Sequence, residues 1–319
     1  MARLSDRIVG NPLNIPPNFN AIINGDFDIW QRGTSQTAAG YGSADRWTVG
    51  LVGSGVTFNQ QTFTLGQTAV PDNPVYYSKA SVGSIAGAGN YALILQKIEG
   101  VQTFAGTTAT LSFWAKADTA KNMAVEFVQN FGTGGSPSTQ VTGINVTTIA
   151  LTTAWTKYFF NVTVPSITGK TLGSGGNDSL NLIFWLEAGS TYNARTNSLG
   201  QQGGVFEISH VQLEAGEIAS PFEYRSVGQE LALCQRYYET GDGNFWIYAA
   251  SGNTPIWNMQ FTTTKRAVPT IVMVKGGNND FPNAATGYAS TSTIKLGCGA
   301  KTGSGAANVI LTFKASAEL

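Results

Sequence analysis

The sequence predicts an all-β protein: an antiparallel jelly-roll sandwich, a short linking helix and a second, small β-sandwich at the C-terminus. Three observations carry this expectation. Apolar residues alternate with period two through much of residues 21–240, the signature of half-buried strands. Glycine supplies 38 of the 319 residues without a Gly-X-Y repeat, as a chain with many tight turns requires. No helical pattern of crossover length separates the strands, so parallel pairing has no connector and antiparallel pairing follows.

The elements follow in order. Residues 1–20 are polar and hold Pro12, Pro16 and Pro17, which disfavour helix and suit an extended arm. Residues 21–224 read as the jelly roll. In Ala109–Lys116, Leu111, Phe113 and Ala115 share one face, and Ser112, Trp114 and Lys116 the other. In Lys157–Val164, Tyr158, Phe160, Val162 and Val164 oppose Phe159, Asn161 and Thr163. In Ser179–Glu187, Leu180, Leu182, Phe184 and Leu186 oppose Asn181, Ile183, Trp185 and Glu187. Glycine-rich clusters at Gly132–Pro137 and Gly173–Asp178 bound these strands as turns.

Residues 225–240 read as the linking helix. Ser226 and Gln229 have the spacing of a capping box, in which each side chain satisfies an unpaired N–H of the first turn. Val227, Leu231, Cys234 and Tyr238 stand 4, 3 and 4 residues apart, the spacing of a coiled-coil seam. Two readings stand for that stripe: packing on the chain's own sheet, or the interface of a homotrimer. Residues 241–319 return to alternation in Pro255–Phe261, Thr270–Lys275 and Asn308–Lys314 and read as a β tip domain.

Charge and composition exclude several functions. Nineteen Lys and Arg balance nineteen Asp and Glu, and charged residues make up 12% of the chain. The basic excess with which nucleic-acid binders neutralise phosphates is missing, so no nucleic-acid partner is expected. No segment approaches the ~20 apolar residues of a membrane span, and the N-terminus lacks a signal-peptide core; no membrane insertion and synthesis in a cytoplasm are the expectations. Cys234 and Cys298 match no disulfide framework or metal spacing. His210 is the only histidine, which excludes multi-histidine metal centres and reads as a strand residue rather than a base. Gly169-Lys-Thr171 ends like a phosphate loop but has Val164 where that loop needs glycine. No catalytic residue and no cofactor are expected.

A binding patch is readable. Trp114 and Trp185, with Glu126 and Glu187, lie on strand faces opposite apolar ones. If the indoles share a face, they offer flat rings for the apolar faces of sugars and carboxylates for the hydroxyls. The alternatives are that both rings are covered by other parts of the fold, or that the carboxylates form a glycosidase pair.

Asn24–Gly33, with Ser43-Ala-Asp-Arg-Trp47, resembles the opening of a family of tailed-bacteriophage virion proteins. Val211–Arg225, continuing through Glu230–Tyr238, resembles the close of the same module, and Leu111–Lys116 its middle. The resemblance covers about residues 21–240 and implies a fibre or decoration subunit located in the virion. In this reading the residues 1–20 arm attaches to capsid or tail proteins, the subunit assembles as a homotrimer, and the jelly roll adheres to host-surface glycans. The rivals are a purely architectural component without sugar binding, and a glycan-degrading depolymerase. The module is also similar to carbohydrate-binding jelly rolls, which implies a structural calcium at Asp26 and Asp28. Ser209 and His210 stand where those modules carry an Asp pair.

Overall fold

A computed structural model of the chain describes residues 19–319 except 253, 255, 278–287, 298–300 and 304. The attachment expected of residues 1–20 falls outside the described residues apart from Phe19 and Asn20, and Cys298 also lies outside them. The chain divides into two compact units, the first reaching Val227 and including Leu319, the second spanning Gly228–Glu318.

The first unit holds β1 (Ser35–Gln36), β2 (Trp47–Val52), β3 (Gly55–Thr62), β4 (Tyr76–Gly83), β5 (Tyr91–Glu99), β6 (Thr108–Ala117), β7 (Lys121–Asn130), β8 (Val141–Leu151), β9 (Thr156–Thr163), β10 (Ser179–Ala188) and β11 (Gly204–Ala215). They form a six-stranded sheet, β1-β3-β4-β11-β6-β9, and a five-stranded sheet, β2-β5-β10-β7-β8. Every pairing is antiparallel. From β4 to β7 the chain alternates between the sheets; later β10 enters between β5 and β7, and β11 between β4 and β6. This nesting is the jelly roll that the sequence predicts.

The core lies between the sheets. Leu111, Phe113 and Ala115 of β6, Val162 of β9, and Leu180, Leu182, Phe184 and Leu186 of β10 all enter it, with Tyr158 and Phe160 packed against it. These are the apolar faces read from alternation. The predicted turns pack on each other: Gly173 N–H donates to Phe131 O at 2.7 Å and Gly175 N–H to Thr133 O at 2.8 Å.

One departure concerns β10, which is buried along both faces. A short 3₁₀ turn (Ser190–Tyr192) and helix α1 (Asn193–Thr196) follow it. Tyr192 and Leu199 from this stretch close a second apolar cluster with Leu93, Ala124, Val128, Ile183 and Trp185. The outer face of the five-stranded sheet is therefore covered at this cluster.

The start of the module is bound to its last strand. Ala21 N–H donates to Leu213 O at 2.8 Å and Val211 N–H to Gly25 O at 2.9 Å. The Asn20 side chain accepts from Leu213 N–H at 3.0 Å and donates to Val211 O at 3.0 Å. Arg225 adds a guanidinium bond to Ile22 O at 3.1 Å. A Cβ on Gly25 would lie 2.1 Å from Val211 O, so only glycine lets the two backbones approach this closely. Asn24, in a left-handed conformation at φ 57°, donates to Ile29 O and Asp45 O and accepts from Ile29 N–H. The opening and closing motifs thus meet as the seam of the module.

The second unit takes all but the first residue of helix α2 (Val227–Gln235) and continues through β12 (Tyr238–Ala249), β13 (Ile256–Gln260), β14 (Thr270–Gly277), β15 (Tyr288–Ala289), β16 (Thr293–Gly297) and β17 (Gly305–Ser316). Two three-stranded sheets, β12-β17-β14 and β13-β16-β15, share a core that includes Phe261, Ile294, Leu296, Leu311 and Phe313. The Lys265 ammonium is buried at the end of α2, donating to Gln235 O at 2.6 Å and to the Glu239 carboxylate. A cation there meets unpaired helix carbonyls.

The expected helical placement of Tyr238 is corrected here. The helix ends at Gln235, so Tyr238 lies on β12, and Cys234 and Tyr238 are both buried in their own chain. Only Val227 and Leu231 of the four keep appreciable exposure. Cys234 and Tyr238 are taken up by the chain's own packing, Val227 and Leu231 are not, and the strand begins at Tyr238, earlier than residue 241.

Substituting Gly25→Ala drives a methyl group into a backbone oxygen that cannot rotate away. The expected outcome is a loss of roughly 1–3 kcal/mol in urea unfolding of the first unit; an unchanged midpoint contradicts the seam.

Candidate functional site

The four residues expected to form a binding patch are not brought together. Trp185 and Glu126 meet on the covered outer face of the five-stranded sheet, where both are buried. Trp185 Nε1 donates to Glu126 Oε2 at 2.9 Å, and Arg195 binds the same carboxylate through Nε at 2.8 Å and Nη2 at 2.9 Å. The guanidinium carbon also sits 5.1 Å from the Trp185 ring centre. Gly143 N–H completes the set at 2.7 Å. This is a satisfied ion pair that ties α1 down over the sheet, and it leaves neither ring nor carboxylate for a ligand.

Glu187 is corrected for a different reason. A bulge between Trp185 and Glu187 breaks the alternation, and Glu187 pairs with Ala92, a residue of the inter-sheet core. Cross-strand partners share a face, so the carboxylate turns inward, where it accepts from Ser84 Oγ. Glu126 and Glu187 therefore stand on opposite faces of one sheet and flank no common cleft, which removes them as a glycosidase pair.

Trp114 is on the other sheet. Its partly buried ring faces outward from β6, beside Ser209 of β11 and Lys157 of β9. It lines a pocket of about 230 Å³ with Ser112, Lys157 and His210. Pro71 and Asp72 from the β3–β4 loop, and Pro221 and Phe222 from the segment after β11, complete the walls. On the same strand face lie Phe159, 64% exposed and opposite Ser112, and Lys116, which pairs with Glu207 at 2.7 Å and lies 5.4 Å from the Trp155 ring. Trp155, Tyr77 and Phe63 stack in a cluster with ring centres 4.6–5.2 Å apart. The outer face of the six-stranded sheet is thus an aromatic strip with interspersed charges.

A bulge also places His210. Ser209 pairs with Trp114 and Gln212 with Ser112, so β11 spends one residue more than β6 between these pairs. His210 takes φ 50°, in the left-handed region, and Val211 carries the inward alternation on into the core. Bulges re-aim side chains in this way. The imidazole packs edge-on against Phe222 with centres 4.4 Å apart, and its Nε2 lies 3.7 Å from Asp26 Oδ1. Burial, with the nearby Lys157 ammonium, pushes its pKa down to about 4.

The calcium implied by the resemblance does not fit these residues. Asp26 meets Ser209 and His210, which stand where those modules carry an Asp pair, whereas calcium takes six to eight oxygens. Among the described residues no group of three or more His, Cys, Asp or Glu could hold a metal, and Asp28 joins no such group.

Sequence reading singled out Trp114 but missed His210, Phe222, Lys157 and Asp72. The single usable signal was the position of His210 inside an otherwise alternating strand, where Ile208 and Leu213 differ in parity.

Two outcomes follow. Arg195→Ala leaves the Glu126 carboxylate buried without its cation and is expected to cost roughly 3 kcal/mol, measured by thermal or urea unfolding; a change below 1 kcal/mol contradicts the clamp. Folded His210 stays neutral while the unfolded chain takes up its proton near pH 6.5. Stability is therefore lost as pH falls from 6.5 toward 4, by up to about 3 kcal/mol. His210→Gln should show a shallower decline in that window; parallel curves would contradict it.

No protein-family model matches the chain, and no curated protein matches it. Solved structures with a similar fold include a CBM4 module, 17% identical over 60% of this chain and 98% of that one, TM-score 0.35. Another is the enzymatically active domain of bacteriophage CBA120 tailspike protein 4, 16% identical over 62% of this chain, TM-score 0.37; the match spans 21% of the tailspike chain. A third is the family 11 carbohydrate-binding module from Clostridium thermocellum in complex with a β-1,3-1,4-mixed-linked tetrasaccharide, 11% identical over 59% of this chain and 98% of that one, TM-score 0.33. Similarity at this level transfers no residue of the pocket.

Proposed function

We propose that this chain is a non-catalytic structural subunit of a tailed-bacteriophage virion, a fibre or decoration protein that adheres to host-surface glycans through the outer face of its six-stranded sheet. The observation that carries the binding reading is the Trp114 pocket. It is lined by Trp114 together with the polar residues Ser112, Lys157 and Asp72. An indole stacks on the apolar face of a pyranose while neighbouring polar groups take its hydroxyls. The virion assignment rests on the resemblance of the Asn24–Gly33 and Val211–Arg225 motifs, with attachment through residues 1–20 and assembly as a homotrimer as parts of the same proposal. Three weak sites on one trimer would gain avidity on a repetitive surface.

The architectural reading is favoured by one observation: Asn24, Gly25 and Arg225, from the motifs that carry the resemblance, act in the seam of the module. Those motifs speak to construction rather than to ligand. The readings separate on Trp114→Ala. Because this ring stands outside the core cluster, folding should be unchanged while binding to host-cell polysaccharide falls about tenfold or more. Equal binding by the variant, or none by the parent chain, favours the architectural role. Light scattering on the purified chain should return three chain masses; a single chain mass contradicts the homotrimer.

A further inference from the structure

The β12-β17-β14 sheet of the second unit has one covered face and one bare one. Val309, Leu311 and Phe313 of β17 enter the core, and Ile271 and Met273 of β14 pack against it. Alternation turns Val272, Val274 and Ile310 the other way, and these three are 57%, 59% and 37% exposed. They stand together: Val274 pairs with Thr312 and Gly276 with Ile310, which makes Val274 and Ile310 diagonal neighbours on one face. β14 is also an edge of its sheet. Its outward positions Thr270, Val272 and Val274 carry no charge, and its pairing with β17 runs without a bulge from Thr270 to Gly277. It therefore lacks the outward charge and the bulge by which edge strands are kept from association.

The charges of the same face indicate the occupant. Asp242 pairs with Thr312 and Lys314 with Thr240, so the two charged groups are diagonal across β12 and β17. Both are exposed, and neither forms an ion pair among the described residues. One positive and one negative group give a strongly acidic or basic partner nothing to prefer. A copy of the same face answers both, with Lys314 for Asp242 and Asp242 for Lys314. Apolar side chains with charges beside them have the anatomy of a protein interface, and opposite charges fix its register. Symmetric assemblies need such complementarity of a chain to its own copies.

Resting on the homotrimer reading, we propose that the bare face of the β12-β17-β14 sheet is where copies of this chain meet. Val272, Val274 and Ile310 pack in the contact, and Asp242 of each copy faces Lys314 of a neighbour.

The test uses the full chain. Light scattering is followed over a dilution series for the parent, Val272→Glu/Val274→Glu, Asp242→Lys and Asp242→Lys/Lys314→Asp, with circular dichroism as the check on folding. The parent should return three chain masses. The double glutamate variant places carboxylates without partners in the contact, and the concentration for half assembly should rise about tenfold or more. Asp242→Lys sets like charges against each other and should shift the curve the same way, while the exchanged pair in Asp242→Lys/Lys314→Asp should return to within about threefold of the parent. Thr312 stands between Val274 and Asp242 in the register. Thr312→Cys should be joined between copies by a short bis-maleimide, with the parent chain as the control for Cys234 and Cys298.

Parental assembly by the double glutamate variant, an unshifted curve for Asp242→Lys, an exchanged pair that does not recover, or an assembled Thr312→Cys chain that does not cross-link beyond the control overturns the proposal and leaves the homotrimer reading standing, with the copies meeting elsewhere. The cross-link decides the matter even if a charged variant fails to fold. A single chain mass for the parent at every concentration overturns the homotrimer reading itself, and this proposal with it.

Discussion

The backbone contact between Gly25 and Val211 organises the first unit. A strand-ordered sandwich has to bring its earliest residues back to its last strand, and here this happens with no room for a side chain at Gly25. The seam does more than close the fold. Asp26 follows Gly25 and His210 precedes Val211, so the contact that joins the ends also sets the Asp26 carboxylate beside the imidazole. The His210 wall of the candidate pocket is thereby built next to a tightly packed backbone contact, the kind of support that preorganised binding needs.

The two sheets divide their outer faces between construction and exposure. On the five-stranded sheet the Glu126–Arg195 pair holds the 190–199 stretch over Trp185 and its apolar neighbours. On the six-stranded sheet Trp114, Phe159 and Trp155 stay partly or largely exposed. An isolated exposed aromatic needs no explanation, but several on one strand face beside a pocket are the pattern of an interaction surface. The two carboxylates that composition made candidates for catalysis are both absorbed into the architecture.

Much of the fold was legible because its signal is local. Alternation at Leu111–Phe113–Ala115 and at Tyr158–Phe160–Val162 names the inward faces, and the glycine clusters at residues 132–137 and 173–178 name the turns. What failed was whatever depends on one extra residue or on a distant segment. A period-two reading assumes an unbroken strand, and the bulges at Trp185–Glu187 and at Ser209–Gln212 each shift the parity; the first turned Glu187 inward and the second brought His210 to the pocket. Covering of Trp185 depends on Tyr192, Leu199 and Arg195, whose placement no local pattern reveals. The helical spacing of Val227, Leu231, Cys234 and Tyr238 was real in the sequence, but the helix ends at Gln235 and Tyr238 opens β12. Trp114 was identified for the right reason, as an aromatic on the polar face of a strand, while Pro71, Asp72, Pro221 and Phe222 reach the pocket from segments outside the strands.

Amide hydrogen exchange gives the sharpest check on the seam. If closure of the opening segment on the last strand holds the module together, the amides of Ala21, Val211 and Leu213 exchange only through global unfolding, as slowly as those of the central strands β6 and β10. Exchange at these three positions that is orders of magnitude faster than in β6 and β10 would show that the ends open independently of the core, and would contradict the account.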